Sequence, residues 1–313
     1  MKNIAFLFPG QGSQIVGMGQ DFYKTYTQAR EVFQEGDEQL NRCLSKIVFE
    51  GPSDQLTETS NSQTGIYLLS IAILRVLQKE FPHLKPSVCA GLSLGEYTAL
   101  TASNYLPFST CLSLVQFRGE VMHEACEKTR GTMAALFGLS AKEIKEMVSQ
   151  LDLPDDLWIA NFNCPGQTVI SGTHKGVKAG IEAAKARGAK RTVLLNVHGA
   201  FHSGLMALAQ EKLQKKIQEI SIFESSIDLV MNVPGDYVSD RDEMRRYLIQ
   251  QVTSPIYWEQ GIQKMMPKIA YFIEIGCGKT LTGINKQIGV SVPTIPINKI
   301  EDLEKLALIE LDS

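Results

Sequence analysis

The chain is poor in the features that would fix several function classes at once. Its six cysteines, Cys43, Cys89, Cys111, Cys126, Cys164 and Cys277, are scattered over 313 residues without a CxxC pair. That pattern fits neither a zinc site nor a disulfide framework, and it places the protein in a reducing compartment, the cytoplasm. There is little net charge. A balance of -3 and a pI near 6.0 argue against broad nucleic-acid binding and confine any electrostatic contact to a local patch. Long apolar runs are missing too. The longest, Ile66 to Leu77, contains Ser70 and Arg75 and is too short to span a bilayer, so no membrane association is expected. Near the N-terminus, Ile4 to Phe8 lies between Lys2 and Pro9 and reads as a strand, not a signal peptide. No nucleotide loop is indicated. The glycines after that strand lack the GxGxxG spacing, and GCGKT at Gly276 to Thr280 has Ile273 where GxxxxGK[ST] needs glycine.

What is present is a 44% hydrophobic chain, long enough to bury a full core as one large domain or a domain with an insertion. It is organised around GLSLGEYTAL, Gly91 to Leu100. Ser87 to Ala90 reads as a strand and Leu94 to Ser103 as a helix, which puts Ser93 at the junction. Gly91, Ser93 and Gly95 match the GxSxG elbow, whose small flanking residues allow a tight turn that presents the hydroxyl. There the amide of Leu94 and the helix N-terminus would face charge developing on a substrate oxygen. An ordinary strand-to-helix turn has the same spacing.

Before the elbow, Ile4 to Phe8 runs into PGQGSQ, where two glycines let backbone approach a ligand and Gln11 and Gln14 offer amides. Residues 15 to 85 read as mainly helical, broken at Pro52 and Pro82. A helix over Ser109 to Cys126 carries Arg118, whose long stem makes a solvated charge the commoner reading.

Residues 129 to 198 have their own rhythm. A strand, Thr132 to Leu139, precedes a helix opened by the capping box Ser140 and Glu143. Strands Leu157 to Phe162 and Thr168 to Ser171 follow, then a helix with Val177, Ile181 and Ala184 inside, then a strand from Thr192 to Val197. This βαββαβ order predicts a ferredoxin-like subdomain, inserted into an α/β-hydrolase-like large domain with a parallel sheet, 1–128 and 199–313. Its second helix and exit carry Lys175, Lys178, Lys185, Arg187, Lys190 and Arg191.

HGAFHS, His198 to Ser203, precedes an amphipathic helix from Leu205 to Ile220. The two histidines are four apart, but Gly199 lies between them and no third ligand is evident, so no metal is expected. His202, opening a helix near the elbow, is the general-base candidate. His83, His123, His174 and His198 lack that context. Beyond it the chain alternates again, with strands Ile227 to Val233 and Ala270 to Ile275 and helices Asp242 to Val252 and Tyr257 to Met266.

GQGSQ, GLSLGEY, Arg118, NFNCPGQTVISG, GAFHS and QVTSP together resemble the malonyl-CoA:acyl-carrier-protein transacylase family, in the family's order and over nearly the whole chain. Acyltransferase domains of polyketide synthases share the pattern. The resemblance implies that Ser93 takes malonyl from malonyl-CoA and passes it to the phosphopantetheine thiol of acyl carrier protein, supplying fatty-acid elongation, and that His202 deprotonates it. It further implies an oxyanion hole from the amides of Gln11 and Leu94, a carboxylate partner in Arg118, and a Gln251 main-chain carbonyl that orients His202. Phe201 resembles the malonyl-preferring form, its ring leaving little room for a branched acyl group. Leu92 departs from the family, most of whose members have histidine there.

In this reading Lys190 and Arg191 gain a purpose in docking an acidic carrier. No cofactor is needed, and a monomer is expected. A serine esterase would share the elbow but would usually add an acid between serine and histidine in chain order. The candidates Asp152, Asp155 and Asp156 fall in the inserted unit.

Overall fold

A computed structural model describes residues 3–197 and 199–309. Lys2 and His198 lie outside the described residues. The first sheet takes β1 (Ile4–Phe8), β2 (Val88–Gly91), β7 (Asp228–Met231), β8 (Asp236–Tyr237), β9 (Tyr271–Ile275) and β10 (Thr294–Ile297) in the order β10-β9-β1-β2-β7-β8. All its pairings are parallel except the edge pair β7 and β8. A parallel sheet must be covered on both faces, so its strands read as unbroken apolar runs. IAFLF shows this alternation: Ile4, Phe6 and Phe8 enter one core cluster, while Ala5 and Leu7 enter the other. Helices Thr59–Glu80 and Phe108–Thr129 cover the first face; Trp258–Met265 and Thr280–Ile288 cover the second.

The second sheet is antiparallel. It comprises β3 (Gly131–Phe137), β4 (Leu157–Cys164), β5 (Gln167–Thr173) and β6 (Arg191–Leu194) in the order β4-β5-β3-β6. Helices Ala141–Leu151 and His174–Ala186 pack on it around Ile144, Met147, Val177 and Ala184. The capping box at Ser140 and Glu143 is present.

Three boundaries differ from the sequence reading. The strand expected over Thr192 to Val197 stops at Leu194, because Leu195 and Val197 turn aside to line the central cleft. His202 does not open a helix. It sits in a left-handed turn at φ +57°, ahead of a short 3-10 turn at Gly204–Met206 and the helix Ala207–Glu219. The edge strands β8 and β10 carry no apolar run in sequence, and β10 holds Pro296, which an edge tolerates because no ladder donor is needed there.

Candidate active site

The parallel sheet delivers two loops to one place. The loop after β1 carries Gly10 and Gln11, and the bend after β2 carries Ser93. Ser93 has φ +54°, a strained conformation for a non-glycine residue. The glycines beside it are required by contact. A Cβ on Gly91 would lie 1.9 Å from the carbonyl carbon of Gly95, and one on Gly95 would lie 2.1 Å from the oxygen of Phe8. The bend is tied by Asn232, whose Oδ1 accepts the Ser93 amide at 2.7 Å while its Nδ2 donates to Gly91 O at 2.7 Å.

Ser93 Oγ lies 2.9 Å from His202 Nε2, and His202 Nδ1 lies 2.8 Å from the main-chain oxygen of Gln251. A carbonyl only accepts, so the ring proton belongs on Nδ1 and Nε2 is left free to take the serine proton. Burial, then the nearby Arg118 charge, push the His202 imidazole down to about 4, against a smaller opposing effect of the Gln251 hydrogen bond. The ring is therefore neutral at physiological pH, the form a general base needs. Asp156 instead accepts from the Thr173 hydroxyl at 2.6 Å, so this aspartate does not complete a triad.

The backbone amides of Gln11 and Leu94 donate to no other group among the described residues. Gln11 lines the cleft with Ser93, and Leu94, next in the chain to Ser93, is the N-cap residue of the helix Gly95–Ala102.

Arg118 is neither solvated nor on the cleft wall. It is 1% exposed and lies beneath the nucleophile. Its Nη1 donates to Gln63 Oε1 at 2.5 Å, and its Nη2 donates to Gln251 Oε1 at 2.9 Å and to Ser93 Oγ at 3.2 Å. The Tyr97 ring lies under the guanidinium, 5.3 Å from its centroid. Its buried Nε has no hydrogen-bond partner among the described residues, leaving a donor for an incoming anion.

The cleft above these groups has a cavity volume of about 170 Å3. One wall comes from the bend after β2 and the turn before His202, with Leu92 and Phe201; the other comes from the small sheet, with Met133, Asn161, Asn163 and Val169. Leu92 makes its wall apolar where an imidazole would be polar. Lys190 and Arg191 are exposed at the start of β6, the strand that leads to Leu195 and Val197 in the cleft.

Sequence reasoning missed Gln63, Glu96 and Asn232, all buried. Gln63 and Glu96 carried a signal: a polar run, Thr59 to Thr64, just before the apolar run from Ile66, and an acid directly after the elbow. Asn232 ends a strand with no motif around it. Among the described residues no helix is long and apolar enough to cross a membrane, and no group of three or more His, Cys, Asp or Glu could hold a metal.

Residues 5–302 match the model of the acyl transferase domain. The chain is 40% identical over 306 residues to the malonyl CoA-acyl carrier protein transacylase of Bacillus subtilis, covering 97% of this chain and 96% of the relative. It is 36% identical over 301 residues to the Haemophilus influenzae protein of the same name, covering 96% of each. Among solved structures, it superposes on the acyl-carrier-protein S-malonyltransferase of Bartonella henselae with a TM-score of 0.92 at 36% identity, covering 97% of this chain and 98% of the other. A malonyl-transacylase in complex with its type II polyketide-synthase acyl-carrier protein gives 0.93 at 32% identity, with the same coverage.

Proposed function

The chain belongs to the acyl transferase family, among its malonyl-CoA acyl-carrier-protein transacylases, and from that premise we propose how its residues carry the reaction. The enzyme transfers malonyl from malonyl-CoA to the thiol of acyl carrier protein. The observation that carries the mechanism is the single cluster of Ser93 Oγ, His202 Nε2 and Arg118 Nη2, all within 3.2 Å of the serine oxygen.

His202 Nε2 takes the Ser93 proton as Oγ attacks the thioester carbonyl. The developing oxyanion is met by the amides of Gln11 and Leu94, a kind of donor worth about 3 kcal/mol each. Collapse of the tetrahedral species expels CoA thiolate, which takes its proton from His202, and leaves a malonyl ester on Ser93. The carrier thiol then attacks the ester by the same steps in reverse, so one nucleophile and one base serve both halves.

Arg118 binds the free carboxylate of malonate through its planar fork. Its Nη2 contact to Ser93 Oγ is exchanged for the carboxylate as the oxygen becomes an ester. Phe201 narrows the cleft against branched acyl groups, and Gln251 holds His202 through its carbonyl. Lys190 and Arg191 receive the acidic carrier. The reaction needs no cofactor, and the enzyme acts as a monomer in the cytoplasm, in keeping with six unpaired cysteines.

We read residues 1–128 and 199–313 as an α/β-hydrolase-like catalytic domain, supported by the elbow after β2. Residues 129–198 are a ferredoxin-like subdomain, supported by the strand order β4-β5-β3-β6. Intact-mass and peptide analysis after mixing with malonyl-CoA tests the mechanism. A malonyl adduct on Ser93, absent from Ser93→Ala, is expected; an adduct elsewhere, or none, refutes it.

A further inference from the structure

The serine and histidine pair has no carboxylate on His202 Nδ1, yet a carboxylate stands one residue away. Gln251 supplies its main-chain oxygen to His202, and its side chain is locked in turn. Its Nε2 donates to Glu96 Oε1 at 2.9 Å and to Ser93 O at 3.0 Å, while its Oε1 accepts from Arg118 Nη2 at 2.9 Å. The other Glu96 oxygen accepts the Asn232 amide at 2.5 Å, and Asn232 is the residue that ties the Ser93 bend. Glu96 is 0% exposed.

The two ends of the Gln251 amide are not interchangeable here. Flipped, its NH2 would face the guanidinium and its oxygen would face two acceptors. A charge-assisted acceptor is the strongest director of that choice, and Glu96 supplies it. Nor is Glu96 capping its own helix, for both of its partners lie more than a hundred residues downstream. Burying an ionised group is costly unless it is paired, and the cationic side chain that acts on it is Arg118.

We propose that Glu96 is the positioning carboxylate of this site, acting through Gln251 to hold the His202 base and the Arg118 guanidinium in register with Ser93. It takes the place, at one remove, of a triad's third member. The inference rests on the acyl-transfer mechanism above. Once ionised, its charge also offsets that of Arg118, which otherwise bears on the imidazole. Burial pushes the Glu96 carboxyl up to about 7, against the opposing effects of Asn232, Gln251 and Arg118.

The test measures single-turnover acylation of Ser93 by malonyl-CoA and by acetyl-CoA in the full-length enzyme, Glu96→Gln, Gln251→Leu and the double variant. Glu96→Gln is expected to slow malonylation about 100-fold, the scale of a misplaced catalytic group, and to reduce the malonyl-over-acetyl preference about tenfold or more, as Arg118 loses its alignment. In the Gln251→Leu background the same change should cost no more than about twofold, because coupled residues are not additive. A loss that is equal for both acyl groups and additive with Gln251→Leu would reduce Glu96 to a structural residue and overturn the proposal.

If Glu96→Gln does not fold, Glu96→Asp carries the test. It keeps the charge but falls one methylene short, so a lower malonylation rate and preference are expected, and wild-type values overturn the proposal. Failure of the wild-type enzyme to form the Ser93 adduct would instead remove the mechanism on which it rests.

Discussion

Replacing Arg118 with alanine separates recognition of the acyl group from the chemistry at Ser93. The side chain donates to Gln63, Gln251 and Ser93 from a fully buried position. Its loss leaves the Gln63 and Gln251 oxygens unpaired, at about 1–3 kcal/mol each. The variant should therefore be less stable by about 2–6 kcal/mol, the combined cost of the two unpaired acceptors.

Both costs fall on every substrate alike. Loss of the carboxylate partner falls on malonyl alone and is worth about 2–5 kcal/mol, which is roughly 30-fold to several thousand-fold at about 1.4 kcal/mol per decade. The quantity to measure is the ratio of kcat/KM for malonyl-CoA to that for acetyl-CoA, in which folding losses cancel. Arg118→Ala should lower it by at least about 30-fold. An unchanged ratio would refute the carboxylate role, whatever happened to the absolute rates.

Three further expectations follow from the same geometry. Asn232→Ala strips the partners from the Ser93 amide and Gly91 O and should lower stability by about 2–5 kcal/mol in denaturant titration; a loss under 1 kcal/mol would show that the bend holds itself. His202, depressed to about 4, resists protonation when folded, so its contribution falls as pH drops from about 6.5 to 4. Glu96, raised to about 7, binds its proton more tightly when folded and gains stability between about 7 and 4.5, offsetting that slope. Removing it in Glu96→Gln should make Tm fall more steeply with acid than in the wild type, by up to about 1.4 kcal/mol per pH unit; parallel curves would contradict it. Lys190→Glu with Arg191→Glu should weaken transfer to the carrier severalfold while leaving Ser93 acylation from malonyl-CoA intact, and equal transfer would make this basic rim a solvated face.

The elbow, the βαββαβ unit and the Ser93, His202 and Arg118 set were legible in sequence because each depends on local chemistry: a glycine contact, a capping box, a hydrophobic period, a motif. The edge strands were not, since β8 has two residues and β10 is proline-interrupted and half-exposed. Nor was the end of β6, which is set by what Leu195 and Val197 touch across the cleft. Gln63, Glu96 and Asn232 are joined only in space, across separations of up to 155 residues, so nothing in their local sequence announces the network. Arg118 could be named from its place in the motif set, but its position beneath Ser93, with Nη2 on the nucleophile, required coordinates.

The most direct test of the account is a chase. Enzyme loaded with radiolabelled malonyl at Ser93 is mixed with phosphopantetheinylated acyl carrier protein, and the label is followed by mass and chromatography. The label should leave the enzyme only when carrier is added and appear as a thioester on the carrier. Release of free malonate at the same rate with or without carrier would make the protein a hydrolase and contradict it.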